Sequence, residues 1–331
     1  MPPPRDQDLL VKVARMYYEE RRSQQEIATA LELSRSNVSR VLTAAHERGI
    51  VEIRIHDPSG RDLQLEHMLK DAFGLTDCRV ADTHGSDQPA LHKAGDLGAR
   101  WLRENLRTPQ RIGVSWGRSL QSLVQAVPDH GGLDVEVVPL VGGLSSVDSE
   151  ITGEELVREL ARRLGGRFQR LHAPALLTSK AGRDVLLAEP TIRGTLTAAG
   201  ECSVAIAGIG SHGVGSSAAI VEAMRLSPDE FDQFTHANPA GDLCARFFDD
   251  AGHAVHGPAD DRVLAVSLAD LARIPLVAGV ATGTEKTRGA LGALRSGVLN
   301  VLICDSSLAR ALLGHTEHRG SHYLTDRPPS P

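Results

Sequence analysis

The chain has 331 residues, 41% of them apolar and 24% charged, with a formal net charge of −6, which excludes wholesale disorder and the collagen-like and mucin-like classes. At roughly 100–200 residues per domain, this length predicts two or three domains with buried cores. A net negative sum argues against indiscriminate coating of nucleic acid but leaves room for a local binding face, and residues 1–56 carry nine Lys/Arg against eight Asp/Glu, so the acidity belongs to the remainder. No run of eighteen apolar residues occurs, and the opening MPPPRDQDLLVKV carries charges where a signal peptide needs an apolar stretch. Neither secretion nor membrane spanning is expected, and the location predicted is cytoplasmic. Cys78, Cys202, Cys244 and Cys304 stand far apart and read as reduced, mostly buried thiols.

Residues 8–20 place Leu9, Leu10, Val13, Ala14 and Tyr17 on one helical face. Ser23 and Glu26 then form a capping-box pattern for a short helix with Ile27, Ala28 and Leu31 as its stripe. Beyond Glu32 and Leu33, Ser34 is a second N-cap. It opens a longer helix with Val38, Val41, Leu42 and Ala45 inward and Arg35, Ser36, Asn37, Ser39 and Arg40 outward. Helix, tight turn, polar-faced helix is the helix-turn-helix order, which makes Ser34, Arg35, Ser36, Asn37, Ser39 and Arg40 the DNA-facing candidates. Arg can donate a bidentate pair to guanine, Asn can do so to adenine, and serine hydroxyls reach phosphates. Residues 50–55 alternate apolar and polar as a short wing strand would. The plainer alternative is a helical hairpin with a solvated face.

Residues 57–61 carry turn chemistry and mark a linker after a first domain of residues 1–56. A helical pattern resumes over 63–73. Strand-like runs then alternate with helical ones: RIGVS and SLQSLVQAV, VEVVPLV and GEELVRELARRL, SVAIAGIG, LVAGVATG and EKTRGALGAL, VLNVLICD and SSLARALL. This predicts a Rossmann-like α/β domain over 62–314, its mostly parallel sheet covered by helices and its ligands at the carboxyl ends of the strands. Two small-residue turns follow strands: Ser115, Trp116, Gly117, Arg118 and Ser119, whose N–H groups, hydroxyls and guanidinium suit an oxyanion, and Gly142 and Gly143, which allow close backbone approach. Trp116 could stack on a ring or fill core. The fourteen histidines lack metal-ligand spacing, so no metal site is expected, and residues 315–331 lose apolar periodicity and read as a disordered tail.

The segments SQQEIATALELSRSNVSRVLTAAHERGIVEIRI, GVSWGRSL, PAGDLCARFFDDAGHAV and VAGVATGTEKTRGALGALRSGVLNVLICDSSLARALL together resemble the SorC family of bacterial transcriptional regulators. The resemblance implies a winged helix-turn-helix domain followed by a sugar-binding domain related in fold to sugar-phosphate isomerases. It also implies operator DNA as one partner, a second copy of the chain (dimer or tetramer) as another, a sugar or sugar-phosphate effector, and no cofactor. Carried over by position, residues 115–119 line the pocket, Asp242 accepts from sugar hydroxyls and Lys286 reaches the ligand; on residues alone the plainer readings are favoured, Asp242 as a strand-end turn acid and Lys286 as a surface lysine at a helix N-terminus. The sequence departs from the family pattern at Ala281, Thr282 and Gly283 and at Pro239, Ala240 and Gly241, beside those candidates. A sugar-phosphate isomerase or deaminase with an appended DNA-binding module is the competing reading. It would need a paired acid–base constellation that the turns do not display, so the chain is expected not to be an enzyme.

Overall fold

The computed structural model describes residues 7–51, 59–84, 88–108, 110–129, 131–144 and 152–320, and the chain divides into two units, residues 1–56 and 57–331. In the first unit, helices α1 (Gln7–Tyr18), α2 (Gln24–Ala30) and α3 (Arg35–Glu47) enclose a core that includes Leu10, Val13, Ile27, Val38, Val41 and Ala45. The Ser23 hydroxyl accepts from Glu26 N at 3.2 Å while Ser23 N donates to the Glu26 carboxylate at 2.7 Å, so α2 starts with a complete capping box. Between α2 and α3 the chain reverses at Glu32, in the left-handed region at φ 53°, and Leu33 N donates to Ala28 O at 2.9 Å. Ile50 and Val51 pack on the three-helix core, whereas residues 52–58, with most of the expected wing strand, lie outside the described residues.

In the second unit, the strands are β1 (Asp77–Ala81), β2 (Gln110–Val114), β3 (Val135–Pro139), β4 (Arg167–Phe168), β5 (Val204–Ser211), β6 (Pro239–Leu243), β7 (Arg246–Asp249), β8 (Leu276–Val280) and β9 (Val301–Asp305). Among the described residues they join one sheet in the order β1-β9-β8-β5-β2-β3-β4, parallel throughout this path. The expected α/β fold with a mostly parallel sheet is borne out. Strand side chains alternate between the faces: Val301 and Ile303 join the cluster under α5 (Ala90–Asn105), α6 (Arg118–Ala126) and α7 (Gly153–Leu164), whereas Leu302 and Cys304 join the opposite cluster. The latter is covered by α4 (Leu63–Phe73), α9 (Pro190–Gly200) after α8 (Lys180–Ala188), α13 (Thr287–Arg295) and α14 (Ser306–Gly320), with α10 (Ser216–Ala223), α11 (Pro228–His236) and α12 (Leu268–Leu271) beside β5 to β8.

One departure is the β6–β7 hairpin, which pairs antiparallel with the far end of β5 and turns at Cys244 and Ala245 with φ of 54° and 62°. The four cysteines are free and buried, and burial pushes the Cys244 thiol up to about 12. A second departure corrects the expected tail from residue 315: α14 continues to Gly320, with His315 Nδ1 2.8 Å from Ala311 O. Residues 315–316 prolong a helix already anchored by buried Leu308 and Leu312, and propagation needs no further apolar stripe. Residues 321–331 lie outside the described residues.

Candidate functional site

Strands β2, β5 and β8 lie side by side and parallel, so the turns after them converge at one edge of the sheet. A cavity of about 240 Å³ opens there. Its walls include Trp116, Gly117, Arg118 and Ser119 after β2, Gly208 and Gly210 of β5, Ser216 and Ser217 of α10, Asp242 of β6, and Thr282, Glu285 and Lys286 after β8.

Three helical segments begin at this wall without a side-chain cap: α6 after Gly117 (φ 120°), α10 after Gly215 (φ 52°) and the single turn Thr284–Lys286 after Gly283 (φ 90°), which leads into α13. Ser, Thr and Asp caps adopt extended backbone, whereas these positive φ values suit glycine, so the first N–H groups of each segment lack the acceptor that such a side chain would supply.

Two cations share the cavity with these N–H groups. Among the described residues, neither the Arg118 guanidinium nor the Lys286 ammonium has a hydrogen-bond or ion-pair partner. Burial holds Lys286 below the ordinary lysine range, against the opposing pull of Asp242 and Glu285 and with a small further push from Arg118. Asp242 is itself buried, and desolvation raises its carboxyl above the usual range although the Ser217 hydroxyl, the Lys286 charge and Ala245 N–H all favour the anion. Its Oδ1 accepts from Ser217 Oγ at 2.8 Å and its Oδ2 from Ala245 N at 3.2 Å. Each carboxylate oxygen keeps a second lone pair for another donor. The carboxylate presses so closely on β5 that a Cβ at Gly210 would overlap its Oδ1. Asp242 is thus both a cap for the hairpin turn and a wall of the cavity, uniting two roles that read as alternatives.

The other sequence candidates divide. Trp116, Gly117, Arg118, Ser119, Asp242 and Lys286 come together, and Trp116 also packs on both core clusters. Ser115 is buried behind the wall, its hydroxyl accepting from Gly208 N at 3.2 Å. Gly142 and Gly143 do not line the cavity, which corrects the expected ligand approach. Gly142 O accepts from Trp116 Nε1 at 3.2 Å, Gly143 N donates to Ala173 O at 2.9 Å, and a Cβ at Gly142 would lie 2.6 Å from the Pro174 backbone. The close approach that Gly142 permits is to the chain's own backbone, and a Cβ at Gly143 would make only ordinary contact, 3.9 Å from Ala173 O. Gly208, Gly210, Ser216 and Ser217 escape the sequence reading, although GIGSHGVGSS, a strand end running into a helix through small residues, is the signal that marks them.

In the first unit, Arg35, Ser36, Ser39 and Arg40 are exposed on the face of α3 opposite Val38 and Val41, and Asn37 is half-buried. The Ser34 hydroxyl accepts from Asn37 N at 3.2 Å and lies 3.0 Å from Ser36 Oγ, so it caps the helix.

Residues 57–314 match the Sugar-bind family model, described as a sugar-binding domain. The sorbitol operon regulator of Klebsiella pneumoniae is 33% identical over 308 residues, covering 92% of this chain and 97% of the relative. The chain belongs to the SorC family. Another similar regulator, the deoxyribonucleoside regulator of Bacillus subtilis, is 30% identical over 93% of this chain and 97% of its own length. The crystal structure of the full-length sorbitol operon regulator SorC from Klebsiella pneumoniae superposes with a TM-score of 0.71 at 32% identity, covering 92% of this chain and 98% of that one. SorC family membership bears out the resemblance drawn from the motifs, and with it the reading as a transcriptional regulator. No helix among the described residues is long and apolar enough to cross a membrane.

Proposed function

We propose that α2 and α3 form a helix-turn-helix that reads double-stranded operator DNA in the cytoplasm, and that a sugar or sugar phosphate seated in the cavity controls this binding. The observation that carries the effector half is the pair of cations, Arg118 and Lys286, without a hydrogen-bond or ion-pair partner among the described residues, which share with a buried carboxylate a cavity edged by helix starts that lack side-chain caps. Cations and helix starts without a side-chain cap suit a phosphate, and Asp242 with Lys286 suits hydroxyls that both donate and accept. Trp116, Gly117 and Ser119 would complete the lining. The relatives' names, regulators of the sorbitol operon and of deoxyribonucleosides, support a carbohydrate signal and regulation rather than turnover. One recognition helix contacts few bases, so the working form is a homo-oligomer that presents several.

The test is a gel-shift assay on DNA upstream of the chain's own gene, with and without a panel of sugars and sugar phosphates. Arg35→Ala and Asn37→Ala should each weaken specific binding by about 1–3 kcal/mol and relax base preference at one position per half-site. At least one panel member should change the wild-type shift. Wild-type affinity in both variants would remove α3 from the interface, and indifference to every sugar derivative would remove the effector reading.

A further inference from the structure

We infer that Asp305, outside the cavity lining, is the positioning residue that sets Lys286 for its ligand; this rests on the reading of the cavity as an anion-accepting effector site. Asp305 ends β9 and stands immediately before α14, and it is buried, with 2% of its surface exposed. Its Oδ2 accepts from Ser307 N at 3.1 Å and from the Ser307 hydroxyl, which is an ordinary N-cap arrangement. The other oxygen does something an N-cap does not require: Oδ1 accepts from Gly283 N at 2.8 Å, across to the connection after β8. Gly283 is the left-handed residue from which the turn Thr284–Lys286 begins, and the turn closes with Lys286 N donating to Gly283 O at 3.1 Å. Asp305 therefore fixes the origin of the turn whose last residue is Lys286. The remainder of that turn has few holds of its own, since all three residues are less than fully buried and Lys286 has no partner for its ammonium among the described residues.

A buried carboxylate is costly to keep, and among the described residues its hydrogen-bond donors are Gly283 N, Ser307 N and the Ser307 hydroxyl, none of them a cation. Capping α14 would be served as well by a serine, which ranks with aspartate at that position but is too short to reach a second element. What aspartate adds is the forked reach to Gly283.

The experiment exploits that difference. Affinity for inorganic phosphate is measured by calorimetry on the full chain for the wild type, Asp305→Ser, Lys286→Met and the double variant, with thermal melts alongside. Asp305→Ser should weaken phosphate by about tenfold and melt near the wild type, and in the Lys286→Met background it should weaken phosphate no further, because a residue acting through Lys286 is non-additive with its loss. Additive losses, or unchanged affinity in Asp305→Ser, would overturn the positioning role and leave the cavity reading standing. Absence of phosphate binding in the wild type would overturn both. Should Asp305→Ser fail to fold, Asp305→Asn, which keeps the side-chain length and one acceptor oxygen, enters the same cycle with the same criteria.

Discussion

Helix starts in this chain fall into two groups. Away from the cavity, α2, α3, α4, α7, α8, α11 and α12 are capped by the side chains of Ser23, Ser34, Asp62, Thr152, Ser179, Ser227 and Ser267, while α5 and α9 begin at Pro89 and Pro190. At the cavity, α6, α10 and the turn before α13 begin from left-handed glycines with no side-chain acceptor. The backbone has the same need everywhere, for acceptors to meet its first N–H groups. At the side-chain-capped starts the chain meets that need itself, whereas α5 and α9 have a proline and no side-chain acceptor. At the cavity the glycines supply no side-chain acceptor either, and beside them stand two cations without a hydrogen-bond or ion-pair partner among the described residues.

Four measurements sharpen or break this contrast. The largest effect should follow removal of the cations: Arg118→Ala and Lys286→Met should each weaken a sugar phosphate that stabilises the wild type by roughly 1.5–3 kcal/mol, with Arg118→Ala sparing the unphosphorylated analogue. The sign of the pH dependence follows from the lowered Lys286. An anion needs the ammonium protonated, so affinity should fall as pH rises through the depressed pKa, earlier than for a lysine titrating near the usual ~10.4. Lys286→Arg should remove this alkaline limb. Equal loss of phosphorylated and free sugar in Arg118→Ala would make the guanidinium structural.

A smaller effect should come from the capped group. Ser227→Ala breaks a box in which Ser227 N donates to Glu230 at 2.8 Å and Ser227 Oγ accepts from Glu230 N at 3.3 Å. It should lower stability by about 1 kcal/mol in urea unfolding and leave effector affinity alone. A change in affinity would dissolve the distinction between the groups. The smallest stability effect belongs to Asp242→Asn. Burial raises the Asp242 carboxyl, so the folded chain holds this proton more tightly than the unfolded chain, and stability contributed by the group grows as pH falls through the raised value toward the ordinary carboxylate range. An amide lacks the charge that burial penalises, and the Ser217 hydroxyl can rotate to suit it. The variant should melt no lower than the wild type at neutral pH, with less dependence on acidification, while binding its effector more weakly. A large drop in melting temperature would mean that the charge itself holds the hairpin.

Legibility in the sequence tracks how local each feature is. Helix α7 is readable to the residue, because Thr152 and Glu155 write a capping box and Leu156, Val157, Leu160 and Leu164 keep helical spacing. The apolar runs of β5, β8 and β9 are as plain, since strands buried on both faces lose alternation. The β6–β7 hairpin is not, because its two-residue turn is made by Cys244 and Ala245 where glycine or asparagine would be the signal. The cavity is half legible. The turn at 115–119 announces itself by composition and Asp242 and Lys286 by resemblance, but Gly208 to Ser217 join them only because the sheet sets β5 between β2 and β8. Gly142 and Gly143 mislead for the complementary reason, since composition allows close approach without saying to what.

Strand β5 draws its neighbours from residues 112–114 behind it and from 241–243 and 276–280 ahead. Such distant pairings form late and slowly, because long loops must close before any of them is rewarded. The floor of the cavity at Gly208 and Gly210 is complete only after all three have docked. A half-folded chain therefore offers an effector nothing to hold. An effector that binds here should leave the refolding rate unchanged and slow unfolding, so that the state it selects is guarded kinetically by its own ligand.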